Sequence, residues 1–160
     1  MERIVECVPN FSEGQDKTII DAIAAEISKV SGVKLLNVDP GADTNRTVYT
    51  FIGDPKGVEE AAFLAIKKAH QLIDMTKQKG AHPRIGACDV CPFIPVKGVT
   101  MDECVAIAKK LGARVGKELE VPVYLYENAA SKVEWKNLAT IRQGEYESLK
   151  DRFQNPAWKP

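Results

Sequence analysis

The sequence has little of several things. It holds two histidines, two tryptophans and four cysteines in 160 residues. It has no excess of charge: 22 Lys+Arg meet 22 Asp+Glu. A balanced chain has no strong non-specific attraction to nucleic acid or to an anionic membrane, so neither is expected as a partner. No run approaches the roughly 18 apolar residues of a spanning helix. The N-terminus, MERIVECVPN, carries Glu2 and Arg3 and lacks the apolar core of a secretory signal. A reduced, cytoplasmic setting is therefore expected for Cys7, Cys88, Cys91 and Cys104. No G-x-G-x-x-G, Walker A or H-E-x-x-H pattern occurs, so a nucleotide or metal site has no motif support. The single C-x-x-C, Cys88 to Cys91, lacks the second ligand pair that a structural zinc needs. It lies in CDVCPFIPV, which reads as extended rather than as the helix start of a redox motif. Packing is its expected role.

What is present is an ordinary folding unit. The length fits one domain that buries about two-thirds of its unfolded surface. The apolar share of 44% and charged share of 28% exclude disordered and collagen-like classes. Residues 1–152 read as one domain and 153–160 as an irregular tail or linker start. Ile4 to Val8 reads as a strand. Ile19, Ile23, Ile27 and Val30 recur at helical spacing, predicting a helix over 16–30. A strand over 33–38 and a turn over 39–43 follow, then a β-branched strand over 47–52. Asp54-Pro55 starts a second helix that Lys79-Gly80 closes. Cys88 to Val96 reads as extended. Thr100 with Glu103 forms a capping box for a helix ending near Leu119. Val121 to Tyr126 reads as a strand, and Ser131 with Glu134 as the cap of a short helix through Ile141.

The order is β-α-β-β-α-β-α-β-α, an α+β class of the α/β type. Its first six elements match the ferredoxin-like, split βαβ plan. The expectation is a βαββαβ core extended by further helix and strand elements, with a mixed sheet and helices mainly on one face. The bare face is then a candidate binding surface.

Three loops gather residues of catalytic type: Pro9 to Gly14, Asp39 to Arg46, and Gly80 to Gly86. His82 precedes a proline and follows a glycine turn, and an imidazole suits acid–base work near neutrality. Asp39 could orient that ring as a triad carboxylate does. Arg46, beside Asn45, could take a substrate carboxylate in its fork. His70 reads as a surface helix residue. Cys104 sits within an amphipathic helix without a base.

The same loops carry a family resemblance. VECVPNFSEG (Val5 to Gly14), NRTVYTFIG (Asn45 to Gly53), KGAHPRIGACDVCPFIPVKGV (Lys79 to Val99), VPVYLYE (Val121 to Glu127) and IRQGEYE (Ile141 to Glu147) resemble the N-terminal subdomain of glutamate formiminotransferases. The resemblance implies transfer of a formimino group from N-formimino-L-glutamate to N5 of tetrahydrofolate, a step of histidine degradation and one-carbon metabolism. It implies tetrahydrofolate as co-substrate and no metal. It implies His82 as general acid/base, with Asp39 and Arg84 as its catalytic companions. Asn10, Asn45, Arg46 and Tyr126 would line the site for substrate and folate. The family's unit has a second, C-terminal subdomain facing the first, so that subdomain or a second copy would cover the open sheet face. The alternative is a non-catalytic folate- or protein-binding module of the same fold.

Overall fold

The computed structural model describes residues 2–160. Its elements are β1 (Ile4–Cys7), β2 (Asn10–Phe11), α1 (Lys17–Ser28), β3 (Val33–Gly41), β4 (Arg46–Gly53), α2 (Pro55–Leu72), β5 (Cys88–Val90), β6 (Phe93–Lys97), α3 (Met101–Leu119), α4 (Leu138–Arg142) and α5 (Leu149–Arg152). Proline cannot donate to a ladder, and Pro9 and Pro92 fall at the two breaks that split β1 from β2 and β5 from β6. β1 and β2 lie end to end along β4. β6 pairs with β1 and β5 with β2, while β3 takes the other side of β4.

Helix α1 links β1–β2 to β3 across β4, and α2 links β4 to β6 across β1. This is the βαββαβ plan the sequence predicts. One detail differs. Every pairing is antiparallel, so the sheet is not mixed. The reason is the crossovers: each skips one strand, so strands joined through a helix never become neighbours.

Period-two alternation points Val5, Cys7, Phe11, Thr47, Tyr49 and Phe51 towards the helices, all fully buried. They meet Ile20, Ile23 and Ile27 of α1 and the alanine-rich face of α2. Burying one such Ile or Phe stabilises by about 1.5–3 kcal/mol. The Tyr49 hydroxyl donates to the Ile20 carbonyl at 3.0 Å, so the one phenol in this layer is satisfied. The opposite face is uncovered. It shows Ile94 and Val96 among half-buried Glu6, Val8, Val48 and Thr50.

Local signals set the helix starts. Asp16 caps α1, Asp54 caps α2 ahead of Pro55, and Thr100 with Glu103 forms the full capping box of α3. Each cap is worth about 1 kcal/mol. The ends depart from expectation. Helix α2 stops at Leu72, not Lys79, because Ile73 turns extended and Asp74 captures the Thr76 N–H and hydroxyl in a tight turn. Residues 121–126 run extended without a ladder: Pro122 has no N–H to give, and Val123 packs on Gly112 of α3. The helix expected over 131–141 is a 3-10 turn, Val133–Lys136, followed by α4, which Asn137 caps in place of Ser131. The tail is also docked. Trp158 packs against Trp135, their ring centroids 6.3 Å apart, and the Arg152 guanidinium lies 4.2 Å over the Trp158 ring. No helix is long and apolar enough to cross a membrane among the described residues.

Candidate active site

The three loops singled out in the sequence come together at one end of the sheet. Asn45 is the knot. Its side chain accepts from the Gly14 N–H at 2.9 Å and donates to the Lys79 carbonyl at 2.8 Å, and its own carbonyl accepts from Gln78. It holds φ at +48°, a left-handed conformation that asparagine tolerates better than most residues. Two glycines allow the approach. A Cβ on Gly14 would stand 2.3 Å from the Gly41 carbonyl, and one on Gly80 would stand 2.2 Å from the Thr44 carbonyl. Ser12 fastens the first loop to the third by donating to the Gly86 carbonyl. Asn45, expected to line the site, is buried, and its side chain bonds to the Gly14 and Lys79 backbone.

On this scaffold Arg46 reaches along the open face. Its Nε donates to Asn10 Oδ1 at 2.8 Å. Its Nη1 donates to Asp89 Oδ2 at 2.5 Å and lies 3.1 Å from His82 Nδ1. Asp89 has no exposed side-chain surface. Its Oδ1 accepts from the Ile85 N–H at 2.8 Å, and its Oδ2 also accepts from Arg142 Nη2 of α4. Two guanidiniums thus share one carboxylate, and the cluster keeps one uncompensated positive charge. Arg142 Nε is buried with no partner among the described residues. Neither Arg46 Nη2 nor Arg142 Nη1 donates to another described residue, which leaves both for an anion.

Arg84 behaves differently. All five N–H donors of its fork are used: Nε on Gln78 Oε1, Nη1 on Glu145 and Glu147, Nη2 on the Gln78 carbonyl and Glu147. The hydrogen bond from Arg84 pulls the Glu147 carboxyl down to about 2. Arg84 therefore ties the third loop to the 3-10 turn Tyr146–Ser148, with each of its donors engaged by a protein group.

Asp39 lies on β3 opposite Val48, which puts it on the same sheet face as Arg46, and it is exposed. It makes no hydrogen bond with His82; the ring instead meets Arg46 and the Pro83 carbonyl. Tyr126 lines a cavity of about 880 Å³ that Ile85 and Asp89 also line and His82 and Arg46 do not. Its hydroxyl is buried with no partner among the described residues, and burial pushes its pKa up. Cys91 Sγ lies 3.7 Å from Cys7 Sγ. Hydrogen bonding among the sulfurs, together with burial, raises the Cys88 and Cys91 thiols well above the ordinary range, against a redox role at neutral pH. No group of three or more His, Cys, Asp or Glu is placed to hold a metal among the described residues.

Sequence reasoning missed Asp89 and Arg142. A lone carboxylate inside the apolar run CDVCPFIPV was the available signal, because a buried charge requires partners. Nothing local marks Arg142.

The family profile described as "Formiminotransferase domain, N-terminal subdomain" matches residues 4–160. The chain is 56% identical over its whole length to a formimidoyltransferase-cyclodeaminase of Rattus norvegicus, covering 30% of that protein. It is 46% identical over its whole length to a glutamate formimidoyltransferase of Streptococcus pyogenes, covering 54% of it. A glutamate formimidoyltransferase of Thermoplasma acidophilum is also 46% identical, with 98% of this chain and 52% of that protein aligned. The chain thus spans between about a third and about half of these relatives.

Proposed function

The chain belongs to the formiminotransferase N-terminal subdomain family, and on that footing we propose that it forms the acid–base wall of a folate-dependent transferase. The reaction moves a formimino group from N-formimino-L-glutamate to N5 of tetrahydrofolate. The observation that carries this reading is the Arg46–Asp89–Arg142 cluster beside His82, a net positive site whose guanidiniums keep donors unpaired among the described residues.

The chemistry follows from that layout. N5 attacks the carbon of the protonated, amidinium form of the formimino group. The N5–C bond forms as the C=N π pair moves onto the terminal nitrogen. His82 Nε2 takes the proton from N5 and delivers it to the glutamate nitrogen. The bond from the carbon to that nitrogen then breaks as C=N re-forms, and glutamate leaves as an amine. Arg46 and Arg142 hold a substrate carboxylate through the edges that face no protein group. Asn10 sets the Arg46 fork. Asp39, exposed on the same face, meets the cationic formimino group. Acid–base help of this kind is typically worth about 10²–10⁴ in rate. Holding the two amines in place contributes further. The remainder of the relatives' length supplies the cover for the open sheet face and the rest of the folate site.

The test is turnover of N-formiminoglutamate and tetrahydrofolate, followed by the absorbance of the 5-formimino product. The chain is assayed alone and with the C-terminal remainder of a relative added as a separate polypeptide. The expected result is turnover that His82→Ala lowers by about 10²–10⁴. Turnover indifferent to His82→Ala contradicts the mechanism. Folate binding without turnover in both mixtures favours the non-catalytic module.

A further inference from the structure

His82 Nδ1 has two neighbours with opposite demands. Arg46 Nη1, 3.1 Å away, can only donate, and the Pro83 carbonyl, 2.6 Å away, can only accept. A neutral ring satisfies one of them at a time. With the proton on Nε2, Nδ1 accepts from Arg46 and faces the carbonyl without a hydrogen. With the proton on Nδ1, it donates to Pro83 and turns an N–H towards the arginine.

Which demand prevails depends on how firmly Arg46 is held. The same Nη1 donates to Asp89, and Asp89 is fixed from two more directions, by Arg142 Nη2 and by the Ile85 N–H. Ile85 lies three residues beyond His82, so one carboxylate holds both the arginine and the loop that carries the imidazole. With its side chain fully out of solvent, Asp89 is held in place by these three donors.

We propose that Asp89 is the positioning residue of this site: by holding Arg46 against His82 Nδ1, it sets which ring nitrogen carries the proton. The two tautomers are thereby kept close in energy. Nε2 is bare, and able to take a proton, only in the Nδ1–H tautomer, so the Arg46 contact sets how much of the ring stands ready as a base. The significance for catalysis rests on His82 being the proton carrier; the tautomer effect itself does not.

Nitrogen-15 NMR of the imidazole tests this on the chain without substrate. There are only two histidines, so His70→Gln assigns the signals. At about pH 9 a histidine ring is neutral, and two-bond couplings distinguish its tautomers. The expected result is a measurable Nε2–H population in the parent chain. In Asp89→Asn the ratio shifts towards Nδ1–H by about threefold or more, the size of one hydrogen bond. Arg46→Gln, on the open face, gives the same shift and serves if Asp89→Asn does not fold. Identical ring-nitrogen shifts in the parent and in the folded variants overturn the proposal. A shift accompanied by turnover that ignores His82→Ala leaves Asp89 in place and removes the transferase mechanism, so the two failures are distinct. In the working transferase, Asp89→Asn alters the pH profile of kcat more than it raises KM.

Discussion

Two arginine clusters meet the same short loop, in opposite proportions. Arg84 is one guanidinium shared by two glutamates and both ends of the Gln78 side chain and backbone, with every donor used. Two residues earlier, His82 faces a cluster of two guanidiniums around the single carboxylate of Asp89. The first has acid to spare and is saturated. The second has base to spare and keeps open donors beside a titratable ring. The same residue types make a saturated fastening in one place and a cluster with open donors in the other. Stoichiometry decides between them, because a fully paired arginine has nothing left for a ligand, whereas a surplus cation in a half-buried setting attracts an anion.

The comparison can be pressed hardest at the carboxylates. Asp89→Ala leaves two largely buried guanidiniums without their partner, and loss of a buried pair's partner costs about 3–5 kcal/mol. Chemical denaturation reads this directly. A loss below about 1 kcal/mol would put Asp89 outside the energetic core of the site. Glu147→Gln, on the fastening side, is far milder. The Glu147 side chain is 61% exposed, so screening keeps its share at the low end for an ion pair. Its sign with pH is fixed. The folded-state value of about 2 lies below the ordinary 4.5, so its stabilisation is present above 4.5 and is lost as pH falls towards 2. Thermal melts of parent and Glu147→Gln should differ at pH 6 and converge near pH 2. A gap that persists unchanged at pH 2 would show that the contact is not ionic.

The sequence speaks clearly where the signals are local. Asp16, Asp54-Pro55 and the Thr100–Glu103 box mark helix starts because a cap is satisfied within three residues. The three loops are legible as loops, and Gly14 and Gly80 prove to be the points of closest approach. The βαββαβ order carries the strand arrangement with it. Long-range pairing is not legible. Arg46 and Asp89 are 43 residues apart, and Arg142 and Asp89 are 53 apart, so no period or cap connects them. The partners of Arg84 are illegible for the same reason: its glutamates arrive from 61 and 63 residues away. The run Val121 to Tyr126 has strand composition, yet Pro122 and the contact on Gly112 leave it unladdered. Asn45 carries the composition of a binding loop and serves as its knot.

The central claim is that Arg46 belongs to the reactive site and Arg84 to the scaffold. The most direct measurement takes Arg46→Met and Arg84→Met in the complete transferase and reads kcat/KM and unfolding free energy on the same preparations. Arg46→Met should lose about 10- to 100-fold in kcat/KM, the scale of a charged hydrogen bond. Arg84→Met should cost about 1–3 kcal/mol, by leaving buried Gln78 acceptors unpaired, while the folded fraction keeps nearly full activity. A folded Arg84→Met enzyme that is inactive, beside an Arg46→Met enzyme that turns over normally, would contradict the account.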